Sequence, residues 1–169
     1  RGNHKTLGKV AHRRILEALE PDNPQHSQDH GSGRLQLANK IASPTNPLTS
    51  RVAVNRIWHH MMGRGIVESV DNFGVLGETP SHPELLDYLA QEFTQDDWSL
   101  KRMIRRIALS QTYQMSSALN LQANELDPSN RLLHRAPIKR LQGEAIRDSM
   151  LSCSDEIDLT MEGPSVPIF

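Results

Sequence analysis

The chain has 169 residues, and its 19 basic and 20 acidic residues leave a net charge of −1 when histidine is neutral. This length fits one domain with a real hydrophobic core, and the near neutrality gives no electrostatic reason to expect binding to nucleic acid or to an anionic membrane surface. The single cysteine, Cys153, excludes an internal disulfide, a cysteine-rich zinc site and a haem attached through Cys-x-x-Cys-His.

The two ends of the sequence are typical of a fragment. No apolar run approaches the ~20 residues of a membrane helix, and the N-terminus has no basic and apolar export signal. The chain opens on Arg1 rather than methionine and stops soon after the turn-like Gly163-Pro164-Ser165. We therefore expect a piece of a larger protein, so that the missing signal carries no information about location.

The first third of the chain begins with a polar segment. A short helix ending before Pro21 is predicted from four apolar residues, Val10, Ile15, Leu16 and Leu19. Residues 21–33 contain almost nothing to bury and are predicted to form a flexible loop. Residues 1–33 are thus expected to precede a helical domain over residues 34–169.

The stretch from Asn46 to Gly65 predicts the helix around which this domain is built. Asn46 can cap free backbone N–H groups, Pro47 suits the first helical position, and Gly63 and Gly65 provide the stop. A helix over about 46–62 should be largely buried, because its apolar residues spread over more than half of its circumference. These residues are Leu48, Val52, Val54, Ile57, Trp58, Met61 and Met62.

A row of polar residues crosses the apolar side of this central helix. Arg51, Asn55 and His59 are spaced four apart and therefore lie one above another. Unpaired polar groups inside an apolar arc are costly. The row therefore predicts specific partners in the rest of the fold.

Four further helices are predicted around the central one. A capping box formed by Ser81 and Glu84 starts the second of them, and residues 110–117 are expected to prolong the third. Residues 120–130 are expected to form a loop that ends in strong turn chemistry. The four helices are predicted over about 34–42, from Ser81 onward, from Ser99 onward and over about 141–153.

The last predicted helix carries two carboxylates four residues apart. Glu144 and Asp148 share one side of it, with Arg147 close to both. This arrangement is typical of an intrahelical ion-pair set, although two carboxylates in a row also suit acid–base work or metal binding.

The sequence as a whole predicts a mainly α fold. It has no sustained heptads, no tandem repeat and little alternation suited to strands. We expect a single irregular helical domain with long loops around the buried central helix.

Several ordered motifs resemble one family of unknown function. They include the runs Asn46-Pro47-Leu48-Thr49, Val54-Asn55-Arg56-Ile57-Trp58, Gly63-Arg64-Gly65, His82-Pro83-Glu84-Leu85-Leu86-Asp87, Trp98-Ser99-Leu100-Lys101, Asn130-Arg131-Leu132-Leu133 and Gly163-Pro164-Ser165-Val166, with His60, Arg51 and the pairs Arg140-Leu141, Glu144-Ala145 and Arg147-Asp148. From about Gly31 onward the chain is similar to the planctomycete surface domain found at the C-terminus of large exported proteins.

The resemblance implies a context rather than a reaction. It implies a multidomain exported protein of the periplasm or cell surface, often with a planctomycete cytochrome c-type domain, so that any haem lies elsewhere in the parent chain and this segment has no cofactor. The family has no agreed catalytic residues. His59 departs from its pattern, whereas Arg56 and His60 match it, which moves attention to that second polar edge of the helix.

Two hypotheses follow. In the first, the domain is a structural or partner-binding module, its partners are other domains of the same parent chain or envelope proteins, and its buried polar network comprises Arg51, Asn55, Arg56, His82 and Arg147. In the alternative, it is a hydrolase-like enzyme acting on an extracellular polymer, with His60 as acid or base, Glu84 or Asp148 as its partner, and Arg56 or Arg147 holding an anionic group. A metal site built on His60, His82 and a carboxylate is a weaker variant, and no metal is expected.

Overall fold

The computed structural model describes residue 8 and residues 31–160. That part of the chain contains seven helices and no strand, which confirms the mainly α prediction. The helix predicted over Val10–Leu19 and nearly all of the loop predicted over residues 21–33 lie outside the described residues. The helices are α1 (Arg34–Ile41), α2 (Pro47–Met62), α3 (Pro83–Gln95), α4 (Leu100–Ala108), α5 (Gln111–Gln114), α6 (Leu121–Leu126) and α7 (Gly143–Cys153).

The chain divides into two compact units. The first covers Arg1–Ala136 and the second Pro137–Phe169. In the second unit, α7 has no buried residue, and Cys153 is an exposed free thiol.

Helix α2 begins and ends where its capping residues predict. The side chain of Asn46 accepts a hydrogen bond from the Leu48 N–H at 3.0 Å, and Pro47 occupies the first turn. Gly63 ends the helix with a φ of 83°, a left-handed conformation that glycine adopts without steric cost.

The hydrophobic core of the first unit forms where α2, α3 and α4 pack together. Val54 of α2 and Met103 of α4 are both completely buried. The core is completed by Trp58, Met62, Ile66, Val67, Leu86, Leu89, Phe93 and Ile107. Burial of α2 is narrower than predicted, because Leu48 is exposed and Val52, Ile57 and Met61 are only half-buried.

Ion pairs and a sharp turn join α3 to α4. Arg106 pairs with Glu92 and with Asp96, the latter at 3.0 Å. Between the helices, Trp98 adopts a φ of 57° and its ring meets that of Phe93 edge to face, with centroids 5.4 Å apart.

The capping box predicted at the start of α3 is wrong. Since Pro83 takes the first turn, His82 becomes the N-cap, and no side chain caps the helix. Ser81 instead gives its N–H, at 2.8 Å, and its hydroxyl, at 3.2 Å, to the carbonyl oxygen of Ile66. Ile66 is buried, so its carbonyl needs such a donor.

Two predictions after α4 also fail. Residues 110–117 do not prolong that helix, because the Ser110 hydroxyl turns back to the Ile107 carbonyl and the serine caps the separate one-turn helix α5. Within the loop predicted over residues 120–130, Asn120 accepts from the Ala123 N–H at 3.2 Å and starts α6.

Candidate functional site

One of the buried polar residues of α2, Asn55, binds the backbone of the following loop. Asn55 is completely buried. Its Nδ2 donates to the Val67 carbonyl and its Oδ1 accepts from the Val67 N–H, each at 2.9 Å. The amide thus satisfies both backbone groups of Val67, as a neighbouring strand does in a sheet. Two of its hydrogen-bonding groups are occupied by the fold itself.

A glycine makes this contact possible. A Cβ built on Gly65 would lie 2.9 Å from Asn55 Nδ2 and nearer still to the Val67 carbonyl oxygen. Any side chain at position 65 would therefore push the loop away from the asparagine. Glycine is therefore required at position 65, where the backbone lies close to the Asn55 side chain.

The loop after Val67 is held by a second set of hydrogen bonds. The Ser69 hydroxyl donates to the Asn72 carbonyl at 2.8 Å and accepts from the Glu78 N–H at 2.8 Å. The Asn72 side chain accepts from the Gly74 N–H at 3.0 Å. These contacts close residues 69–78 into a compact turn.

Arg51, one turn before Asn55, connects α2 to α3. Its Nε donates to Asp87 Oδ1 at 2.7 Å, and its Nη1 donates to the Pro47 carbonyl at 2.9 Å. The two charged side chains are 32% and 58% exposed, so water screens part of their attraction. The pair aligns the helices more than it stabilises them.

The second polar edge of α2 contains Arg56 and His60. Arg56 pairs with Asp71 Oδ1 at 2.9 Å, with side chains 56% and 89% exposed. His60 is exposed, and its ring centroid lies 5.5 Å from that of His59. His59 is half-buried, and its Nδ1 is a buried polar atom without a hydrogen-bond partner.

An open groove lies along this flank of α2 and has a volume of about 560 Å³. Arg56 and His60 contribute to its lining, and Leu100, the first residue of α4, contributes from the other side. The rest of the lining is Leu48, Thr49, Val52, Ala53 and Ile57. The groove is therefore mostly apolar, with its two basic groups on α2.

A smaller cavity of about 250 Å³ lies on the side of Arg51 and Asp87. Phe73, Pro80 and Glu78 of the loop also line it. Arg51 and Asp87 already pair with each other, and Glu78 adds a second carboxylate to the lining.

Residues 33–169 match the family described as PSD1, Protein of unknown function (DUF1553). The chain belongs to this family. No curated protein and no solved structure gives a significant match.

In this DUF1553 chain, the remaining predicted site residues belong to both units. Glu84 is exposed in the first turn of α3, and His82 Nδ1 lies 2.9 Å from the Ser81 hydroxyl. Arg147 and Asp148 lie in the second unit, where their side chains are 3.8 Å apart. Glu144 of α7 is also exposed.

The turn predicted at the end of residues 120–130 binds its own backbone through Asp127, a role that sequence reasoning did not predict. Asp127 accepts from the backbone N–H groups of Leu132, at 2.7 Å, and Arg131, at 2.9 Å, and from the Ser129 hydroxyl at 3.2 Å. The hydrogen bond from Leu132, followed by that from Arg131, lowers the pKa of Asp127 below its ordinary value. The sequence Asp127-Pro128-Ser129-Asn130 predicted a turn here, but it did not predict that N–H groups of Arg131 and Leu132 would donate to Asp127.

The described part of the chain contains neither a metal-binding group of side chains nor a membrane-spanning helix. Over residue 8 and residues 31–160, no group of three or more His, Cys, Asp or Glu side chains is arranged to hold a metal ion. Within the same residues, no helix has the length and apolar character required to cross a bilayer.

Proposed function

We propose that this DUF1553 chain is a helical structural or partner-binding module of a larger exported bacterial protein. The observation that carries the proposal is the use of Asn55, whose completely buried amide holds both backbone groups of Val67. Because both hydrogen bonds of the Asn55 amide go to the backbone of Val67, the side chain fixes the shape of the loop that follows α2.

The other polar residues on and near α2 support the same reading. Arg51 joins α3 through Asp87, and Arg56 joins the 69–78 turn region through Asp71. Ser81 returns the end of the same loop to Ile66. Each of these contacts fixes where a loop or helix lies, which suits a module that presents a surface to other domains.

The proposed context follows from the family resemblance. The parent protein is exported to the periplasm or cell surface, comes from a planctomycete or a related bacterium, and carries a cytochrome c-type domain elsewhere. Haem belongs to that other domain, because a chain with one cysteine has no Cys-x-x-Cys-His attachment sequence. The partners are other domains of the parent chain or envelope proteins.

One observation favours a second candidate function, a hydrolase-like enzyme acting on an extracellular polymer. Arg56 and His60 line the same groove, where a histidine can transfer protons and an arginine can hold an anionic group. A carboxylate partner for His60 is required by this mechanism, and Glu84 and Asp148 are the residues assigned to that role from the sequence.

A measurement of polymer turnover distinguishes the module function from the enzyme function. The purified chain and its His60→Ala variant are incubated with a panel of extracellular polysaccharides and peptide cross-linked wall polymers, and soluble products are measured. The module function predicts no turnover by either protein. Turnover by the natural chain that is lost in His60→Ala, while Gln91→Ala keeps it, would establish the enzyme and overturn our proposal.

The context is tested separately. Antibodies against this domain should detect the full-length parent protein in periplasmic or surface fractions of the bacterium. A parent protein confined to the cytoplasmic fraction would contradict the proposed export.

A further inference from the structure

The groove on the outer flank of α2 is an apolar surface between two helices. On the α2 side, Leu48 is 37% exposed, and Val52 and Ile57 are half-buried. On the α4 side, Leu100 lines the groove with 56% of its surface exposed, and Ile104, one turn later in the same row, is 46% exposed. Exposed apolar residues grouped in this way mark a site at which another molecule binds.

The surroundings of α4 change around its circumference. At ~100° per residue, its side chains form rows of residues that are four apart. In order around the helix, these rows are Arg102 with Arg106, Met103 with Ile107, Leu100 with Ile104, and Lys101 with Arg105. The second row is buried in the core, and the third adjoins the groove. One basic row therefore lies on the far side of the core row, and the other lies along the outer edge of the groove.

The two basic rows of α4 differ in their partners. Arg102 and Arg106 both pair with Asp96, at 3.5 Å and 3.0 Å. Lys101 and Arg105 are exposed, and neither has an ion pair within the described part of the chain. Carboxylates of this chain thus neutralise one basic row but leave the other uncompensated. The edge of the groove carries positive charge that a bound partner can match.

The α2 wall adds basic groups to the same groove. Arg56 and His60 contribute to the lining, and none of the described residues in that lining is acidic. Arg56 pairs with Asp71 at 2.9 Å, but the Asp71 side chain is 89% exposed and lies outside the lining. Because an exposed ion pair is weak, Arg56 can also receive a carboxylate from a partner. Basic groups therefore border the apolar surface on both helices.

The dimensions of the groove suit a short helix. Its α2 wall runs from Leu48 to His60, a distance of ~18 Å at the rise of an α-helix. A bound helix of about twelve residues has the same length. Grooves between neighbouring helices accept amphipathic helices through apolar residues spaced three or four apart. Acidic residues beside that apolar row would face the basic edges.

We propose that the groove between α2 and α4 binds an acidic amphipathic helix of a partner polypeptide. The apolar row of the partner packs between Leu48 and Leu100, and its carboxylates face Lys101 and Arg105. This inference rests on the proposed module function and names the chemical class of its partner. The complementary charges fix the orientation of the bound helix and favour acidic partners over basic ones.

Selection from a peptide library tests this partner. The complete chain selects from phage-displayed random peptides of about sixteen residues, long enough to span the groove as a helix. Peptides that also bind the Leu100→Glu variant are removed. Leu100 is exposed in the first turn of α4, where an acidic residue suits the helix dipole, so this variant should stay folded. The enriched peptides should combine Asp or Glu with apolar residues spaced three or four apart, and should bind the natural chain at least about tenfold more tightly than the variant.

Charge reversal on α4 tests the match of charges. Lys101→Glu and Arg105→Glu should each weaken the binding of a selected peptide by about fivefold or more. Arg131→Glu, at an exposed position outside the groove lining, should leave the affinity unchanged. A twin peptide in which lysines replace the acidic residues should bind Lys101→Glu more tightly than the natural chain. Fluorescence anisotropy of labelled peptides measures these affinities, and circular dichroism checks the fold of each variant.

Several results would overturn the proposed partner. Selection might enrich no peptide that depends on Leu100, or only peptides without acidic residues, and charge reversal might weaken binding no more than Arg131→Glu does. A dimer of the chain that Leu100→Glu abolishes in sedimentation would assign the groove to a second copy. Binding to phosphatidylglycerol vesicles that is lost in Lys101→Glu would assign it to a membrane surface. The turnover measurement decides the module function separately, so either proposal can fail while the other stands.

Discussion

Replacing Asn55 by alanine should be one of the most destabilising single changes among the polar residues of α2. The substitution removes the partner of the Val67 N–H and the partner of the Val67 carbonyl, and Val67 is only 3% exposed. A buried backbone group left without a partner costs about 1–3 kcal/mol. Two such groups, with some recovery by an entering water molecule, give a loss of about 3 kcal/mol in the free energy of unfolding.

The neighbouring residue provides a matched comparison. Arg56 is on the same helix and also pairs with a loop residue, but the Arg56 and Asp71 side chains are 56% and 89% exposed. An exposed ion pair contributes ~0–1 kcal/mol. Arg56→Ala should therefore change the free energy of unfolding by less than about 1 kcal/mol.

Urea unfolding followed by tryptophan fluorescence measures both variants. Trp58 is buried in the core three residues after Asn55 and reports loss of packing there. The loss of about 3 kcal/mol corresponds to a melting temperature lower by roughly 10 °C for a domain of this size. Asn55→Asp should be at least as damaging, because it places a carboxylate against the Val67 carbonyl oxygen in a buried site.

Equal stability of the Asn55→Ala and Arg56→Ala variants would contradict this role of Asn55. If Asn55→Ala and Arg56→Ala unfold at the same urea concentration with the same slope, the buried amide does not hold the loop. The proposed module function would then lack the contact on which it rests.

Three further predictions concern the same framework. Gly65→Ala should lower the melting temperature by several degrees, since its Cβ would collide with Asn55, and thermal unfolding by circular dichroism will show whether it does. A double-mutant cycle on Arg51 and Asp87 should give a coupling of about 0.2–1 kcal/mol that falls as salt is added, whereas a salt-independent coupling above that range would contradict a half-exposed pair. Asp127→Asn should lower the melting temperature at pH 7, because the lowered pKa of Asp127 means that the fold favours its ionised form. The difference in melting temperature between the variant and the natural chain should be fully present above the ordinary aspartate pKa of about 3.9. It should disappear as the pH falls through the lowered pKa of Asp127.

The parts of the fold that sequence predicted best are those with local signals. The start and end of α2 follow from the chemistry of Asn46, Pro47 and Gly63, each of which acts on the adjacent helix turn. Ser99 likewise caps α4 through the Arg102 N–H at 3.4 Å. The helix ends that these residues form can be predicted without knowledge of the tertiary structure.

The failures have two other causes, which are competition from distant groups and elements too short to show a periodic pattern. Ser81 had all the features of a helix cap, but the buried carbonyl of Ile66, fifteen residues earlier, takes both of its donors. The need for partners along the polar row was visible in the sequence, yet the identity of the Asn55 partner, Val67, depends on how the loop returns. Helix α6 was missed because six residues give too little periodicity to distinguish a helix from a loop.

The groove was beyond sequence reasoning for a geometrical reason. Periodicity showed that apolar residues surround more than half of α2, but it did not show which part of that circumference α3 and α4 would cover. Val54 and Trp58 face the core, whereas Leu48 faces the groove, although all three are apolar residues of one helix.

The bond between Asn55 and Val67 also bears on the order of folding. It joins residues twelve positions apart, so the loop that it closes is short and carries a small entropic cost. The ion pair between Arg51 and Asp87 joins residues thirty-six positions apart and closes a much longer loop. Helix α2 and the return of the chain after Gly65 therefore form a nearly local unit, which we expect to assemble early and to present a shaped surface on which α3 then docks.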